Sequence, residues 1–228
     1  MNLNYNLQFD KLCETFYLGE IISEPKQISG GHLHKMFAVE TVSGKYAVKA
    51  LNPQVMLRSA AMPDIINGEQ TAQIAAKTIP AAYAKKFSGD YIIEIDGQFY
   101  LVFDWIDGSP IYSERINVYH CKTMGKILAE LHQIDFSSLD LKDDYSSEEK
   151  IVDWDYYLEQ GKKISAVWLG VFNDNIENLY KWNKLLFDST KRLAGSKTVI
   201  SHGDLEPKNV IWQNDNPIII ELGIFRFY

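Results

Sequence analysis

Apolar residues recur along this chain with two alternating patterns, helical spacing and short strand-like runs. Phe9, Leu12 and Phe16 fall at helical spacing, and Gly19 follows as a cap. The pattern then shortens. Ile21-Ile22, Met36-Phe37-Ala38-Val39 and Tyr46-Ala47-Val48 read as three strands, with Ser43-Gly44 turning the chain between the second and third. Pro63 to Lys77 returns to helical spacing through Ile65, Ile66, Ala72, Ile74 and Ala75. Tyr91–Ile95 and Phe99–Phe103 predict a hairpin around Asp96-Gly97, a dipeptide suited to a tight turn with positive φ. Beyond Gly108-Ser109-Pro110 the chain turns helical. Met124, Ile127, Leu128 and Leu131 mark one buried face, and further helices are expected around 151–160 and 176–193. The charged, Ser-rich stretch 140–150 reads as a loop or a solvated helix start, and a short hairpin closes the pattern at Val210–Trp212 and Ile218–Ile220.

Strands and helices therefore segregate instead of alternating, which argues for an α+β chain and against a doubly wound sheet. The expected division is a sheet-bearing lobe at 1–104, a linker at 105–110 and a mainly helical lobe at 111–228. A cleft between two such halves is a natural ligand site.

Composition narrows the function. A net charge of −7 argues against nucleic acid as the partner, because phosphate backbones are held by clustered Lys and Arg. It is compatible with a cationic small molecule. The apolar stretches all fall short of the roughly 18 residues that cross a bilayer, and the first six residues carry no basic-then-apolar leader. A soluble, cytoplasmic protein is expected. Cys13 and Cys121 stand in no metal-binding spacing and are expected as two buried thiols in a reducing compartment.

The chemistry is concentrated in Ser201-His202-Gly203-Asp204-Leu205-Glu206-Pro207-Lys208-Asn209, flanked by Thr198-Val199-Ile200 and Val210-Ile211-Trp212. Phosphoryl transfer of the kinase type uses an Asp to orient and deprotonate the attacking hydroxyl, and an Asn five positions later to hold magnesium. With Gly203 where protein kinases carry Arg, the loop resembles the aminoglycoside phosphotransferase and choline kinase branch of the protein-kinase-like superfamily. A second match is Lys49 in Tyr46-Ala47-Val48-Lys49-Ala50, similar to the kinase strand whose Lys holds donor phosphates. Glu69, on the following helix, is its candidate carboxylate partner. Gly30 and Gly31, in Ser29-Gly30-Gly31-His32, read equally as a hairpin turn or a phosphate-covering loop.

The resemblance implies a bilobal fold that moves the γ-phosphoryl group of ATP or GTP to a hydroxyl of an aminoglycoside-like or other small amino-alcohol. Asp204 would be the base. Asn209 and Glu221 would hold Mg2+. The linker, with Phe103 and Trp105, would lie at the nucleotide base, although Trp105 fits the core as well. His202 would orient the loop, and the other four histidines form no ligand pattern. Asp153 and Asp155, among Trp154, Tyr156 and Tyr157, offer an acidic aromatic surface for an amine or, equally, a solvated helix start.

Two departures stand out. Glu221 occupies the position where the family carries Asp, one methylene shorter. The chain ends at Tyr228, where the family continues with helices that complete the helical lobe. The apolar residues 224–228 leave three readings open: an early end to the fold, a surface covered by a second copy in a homodimer, or a shortened and catalytically impaired relative serving in nucleotide binding or regulation.

Overall fold

The computed structural model of the chain describes residues 4–28, 33–139, 152–193 and 199–222, with the backbone of 226–227. Contacts divide the chain into two compact units, one of Met1–Leu141 and Val199–Arg226, the other built on Lys142–Thr198.

The first unit is organised by a five-stranded antiparallel sheet. Its strands are β1 (Lys26–Ile28), β2 (Lys35–Thr41), β3 (Gly44–Ala50), β4 (Ile93–Ile95) and β5 (Gln98–Asp104), in the spatial order β1-β2-β3-β5-β4. Strand alternation sends side chains to opposite faces, and the register fixes which ones. Phe37 pairs with Val48 and Val48 with Val102. These residues, with Val39, Ala50, Tyr100, Ile93 and Ile95, form a buried core against Leu12 and Cys13 of α1 (Phe9–Thr15). The opposite face carries Ala47, Lys49, Leu101 and Phe103. Leu101 is buried there with Leu51, Ala84 and Tyr91, and Ile65 packs against them. Ile65 belongs to α3 (Ala61–Ala75), which follows a short α2 (Pro53–Met56).

Several expectations shift. Ile21 makes only an isolated bridge to Thr41, and the first strand forms at 26–28 instead. Two adjacent isoleucines give no alternation, and only half of such a pair can face a core. The β2–β3 turn is Val42-Ser43, since Gly44 already pairs with Thr41. The β4–β5 hairpin turns at Asp96-Gly97 as expected, with both residues at positive φ. Cys13 is buried but Cys121 is exposed on α4 (Val118–Leu131), where Ile127 and Leu131 face inward.

A second small sheet completes this unit. β7 (Val210–Gln213) pairs with β8 (Asn216–Ile219), and the two-residue strand β6 (Ile200–Ser201) precedes them. Residues 80–85 join the two sheets through backbone. Ala82 N–H donates to the Ile219 carbonyl at 2.8 Å and Lys85 N–H to the Val102 carbonyl at 2.7 Å.

The second unit is a helical pair, α5 (Trp154–Lys163) and α6 (Leu169–Leu193). Trp154, Trp168 and Phe172 pack between the two helices, and the Tyr180 hydroxyl donates to Asp155 at 2.7 Å. The stretch 140–151 lies outside the described residues, as do Gly30, Gly31 and 223–225. Among the described residues no helix is long and apolar enough to cross a membrane.

Candidate active site

The site is assembled from β3, α3 and the two loops around the second sheet, all within the first unit. Lys49 lies on the α3-facing side of β3, because its cross-strand partners Met36 and Leu101 fix that side. Its ammonium is 2.9 Å from the carboxylate of Glu221, with the Lys side chain 14% exposed and the Glu side chain 33% exposed. Sequence reasoning pairs Lys49 with Glu69. Among the described residues that contact is not made: Lys49 takes Glu221 instead. Glu69 is buried in the inward stripe of α3 and accepts the Ala84 N–H at 2.6 Å. Burial raises its pKa, against the Ala84 hydrogen bond and the charge of Lys49, which lower it. Glu69 therefore lies in the field of Lys49 while its hydrogen bond anchors residues 80–85 to the helix.

The loop after β6 is held by its own side chains. Asn209, almost fully buried, donates from Nδ2 to the Asp204 carbonyl at 2.8 Å and to the Asp204 carboxylate at 3.1 Å. Its amide oxygen accepts no hydrogen bond from a described residue. Lys208 stands 3.6 Å from the Asp204 carboxylate. His202, 1% exposed, accepts the Asp204 N–H on Nδ1 at 3.3 Å and faces the Ile220 carbonyl with Nε2 at 3.3 Å. The accepting role of Nδ1 assigns the ring proton to Nε2. Burial also lowers the His202 pKa, which favours the neutral ring. Ile220 N–H in turn donates to the Asn209 carbonyl at 2.9 Å. Asp204, Asn209 and Glu221 are thus stitched together by backbone on either side of Ile220. Glu221 itself adopts φ 58°, a left-handed conformation unusual for a residue with a Cβ.

The remaining candidates are placed as follows. Phe103 sits on the Lys49 face of β5, its ring centroid 5.9 Å from the Lys49 ammonium. Trp105 is half-buried. Its Nε1 donates to Asp107 at 3.0 Å, and the Lys45 ammonium lies 4.1 Å from its ring centroid. Asp153 is the N-cap of α5, accepting the Tyr156 N–H, and Asp155 holds the Tyr180 hydroxyl. Both are exposed, each with one hydrogen bond within the helical pair. A cavity of ≈ 300 Å³ lies beside α3, and one of ≈ 510 Å³ lies along the 81–86 segment, lined also by Phe103, Asp104 and Ile106. Neither is lined by Lys49, Asp204, Asn209 or Glu221.

A lysine on a central strand, an Asp–Asn loop and an acid after a second hairpin, held in register by backbone, is the arrangement of a kinase-type phosphotransfer site. A model of the phosphotransferase enzyme family matches residues 24–223. The chain belongs to that family. Solved phosphotransferases share its fold. The spectinomycin phosphotransferase APH(9)-Ia, in complex with ADP and spectinomycin, aligns at TM-score 0.59 and 16% identity over 94% of this chain and 71% of that one. A thermostable mutant of the aminoglycoside phosphotransferase APH(4)-Ia aligns at TM-score 0.64 and 13% identity, over 96% and 72%. A choline kinase from Cryptosporidium parvum Iowa II aligns at 0.53 and 18%, over 96% and 64%. No curated protein matches the sequence significantly.

One residue beside Lys49 and Glu221 has no signal in the sequence. His34 lies near Lys49 and Glu221, and its Nδ1 accepts the Asn52 N–H at 2.9 Å. Burial first, and the Lys49 charge second, push its pKa down to about 4 against the opposing pull of Glu221. Only the cross-strand register could have found it, since residue 34 extends the face of Met36 and Lys49.

Proposed function

We propose that this chain transfers the γ-phosphoryl group of ATP or GTP to a hydroxyl of an aminoglycoside-like or other small amino-alcohol, in the cytoplasm and with magnesium. The observation that carries the reading is the convergence of Lys49, Glu221 and the Asp204–Asn209 loop, with Lys49 and Glu221 at 2.9 Å across 172 positions of sequence. The ADP and spectinomycin bound to a structural neighbour support the same substrate pairing. The lobes follow the division 1–104, 105–110 and 111–228.

In this reading Asp204 accepts the proton of the acceptor hydroxyl as its oxygen attacks the γ-phosphorus, and the nucleoside diphosphate leaves. Asn209 keeps that carboxylate oriented through the Nδ2 bond at 3.1 Å. His202, neutral and fixed between Asp204 and Ile220, shapes the loop and takes no proton. Lys49 supplies fixed positive charge to the donor phosphates, and Glu69 acts on it through the field without contact. Gly30 and Gly31 cover the phosphates, and Phe103 and Trp105 flank the base. Asp153 and Asp155 serve the helical pair itself.

Magnesium fits the donors present. Asn209 offers an uncommitted amide oxygen and Glu221 a third-exposed carboxylate, both hard oxygen ligands. Few protein ligands suffice, because magnesium keeps waters and phosphate oxygens in its shell. Bound there, it would neutralise charge on the β- and γ-phosphates. Rate would come from positioning and charge neutralisation, as a loose transition state requires.

The test is calorimetry with ATP and GTP, with and without magnesium, followed by a phosphate-release screen over hydroxyl acceptors. Magnesium-dependent binding with acceptor-dependent release is expected. Nucleotide binding without transfer to any acceptor would favour the second reading, a catalytically impaired nucleotide-binding or regulatory protein. Glu221 in the place of Asp is the observation that favours it. Absence of nucleotide binding would overturn both.

A further inference from the structure

The imidazole of His34 has no task in that mechanism, yet it is held as though it had one. Lys35 pairs with Ala50 and Met36 with Lys49, so residue 34 continues the face of the sheet that carries Lys49, one step beyond the last pair. The Asn52 N–H, just past the end of β3, reaches back to Nδ1 at 2.9 Å. A nitrogen that accepts a hydrogen bond presents its lone pair, so the single proton of the neutral ring is on Nε2. That N–H makes no hydrogen bond with a described residue, and it is not among the buried polar atoms left without a partner. The backbone bond fixes the ring and leaves one donor pointing away from it.

The charges facing the ring are Lys49 from β3 and Glu221 from the loop after β8. A second cation beside Lys49 would repel it. A neutral N–H adds a hydrogen bond to an anionic ligand without that cost. Burial and the Lys49 charge keep the ring neutral at physiological pH.

We infer that His34 is a phosphate-contacting residue of the donor site, its Nε2–H donating to a β- or γ-phosphate oxygen beside the Lys49 ammonium. This rests on the nucleotide reading above. It assigns part of donor recognition to the residue immediately before β2.

The test compares magnesium-ATP with AMP by calorimetry on the full chain, for wild type, His34→Phe and His34→Gln. Phe keeps the bulk and removes the donor. ATP affinity should fall at least about tenfold, the scale of a hydrogen bond to a charged group, while AMP affinity holds. Gln retains an oxygen for the Asn52 N–H and an N–H for the phosphate, and should bind ATP close to wild type. Independently of how the variants fold, the His34 Nε2–H resonance of the unmutated chain should move on adding ATP and stay on adding AMP. An equal loss for AMP, no loss for ATP, or a resonance indifferent to ATP would overturn the assignment and leave the phosphotransferase reading standing. A wild-type chain that binds neither nucleotide would overturn both.

Discussion

Glu69 separates two accounts of the site. As an ion-pair partner of Lys49, its charge is what matters. As an acceptor for the Ala84 N–H, its oxygen is what matters, and the charge is a burden that burial makes worse. Glu69→Ala removes the acceptor and leaves a buried N–H unpaired, costing about 1–3 kcal/mol. It also removes a packed methylene, worth about 1 kcal/mol. Relief of the buried carboxyl offsets part of this, for a net loss of about 2–3 kcal/mol. Glu69→Gln keeps an oxygen for Ala84 and discards the charge, so it should stay within about 1 kcal/mol of wild type or exceed it. Urea unfolding followed by tryptophan fluorescence measures both. With a slope of about 2–3 kcal/mol per molar, Ala should lower the midpoint by roughly 1 M and Gln by little. The pH dependence adds a sign. A carboxyl whose folded pKa is raised contributes stability that is present below its ordinary value and lost as pH rises through the folded one. Gln lacks that loss, so its advantage over wild type should grow as pH rises above the ordinary carboxylate range. Equal destabilisation by Gln and Ala would refute the acceptor account and restore the charge pair with Lys49.

Three further outcomes are expected. Asp204→Ala should lower turnover by about 10²–10⁴-fold while nucleotide affinity holds, and normal turnover would remove Asp204 from the mechanism. Glu221→Asp, one methylene shorter, should lower the magnesium concentration needed for half-maximal nucleotide binding, and loss of binding would give Glu221 a different role. Gly108→Ala should destabilise by at least about 2 kcal/mol in thermal or urea unfolding, because φ is 137° and a Cβ would lie 2.5 Å from the Trp212 carbonyl oxygen. An unchanged midpoint would mean that the 108–109 backbone yields easily from β7.

Elements whose signal is local were legible in the chain. The Asp96-Gly97 hairpin, the Val210–Ile220 hairpin and the 124–131 face of α4 all follow from period and turn chemistry. The element edges moved where neighbours decide them, as at β1, whose pairing with Met36–Ala38 outweighs the paired isoleucines upstream. The 20-position gap between Lys49 and Glu69 on the following helix makes their pairing plausible by spacing, but spacing cannot say which of two carboxylates a lysine meets. Glu221 arrives from 172 positions away, and the Ala84 N–H claims Glu69 first. His34 was illegible for the same reason, since its partners are a backbone amide at Asn52 and the charges of Lys49 and Glu221.

By itself the sequence determined the chemical vocabulary of this protein: an Asp, an Asn and a Lys at kinase-like positions, on strands and loops set by local periodicity. The tertiary structure decided which groups meet, which are held by backbone and which are left free for a ligand. Hydrophobic period and turn propensity act over a few residues and are written in the chain. Ion pairing, burial and the sharing of hydrogen bonds depend on distances through space, and those exist only once the sheet, α3 and the second hairpin have closed around Lys49.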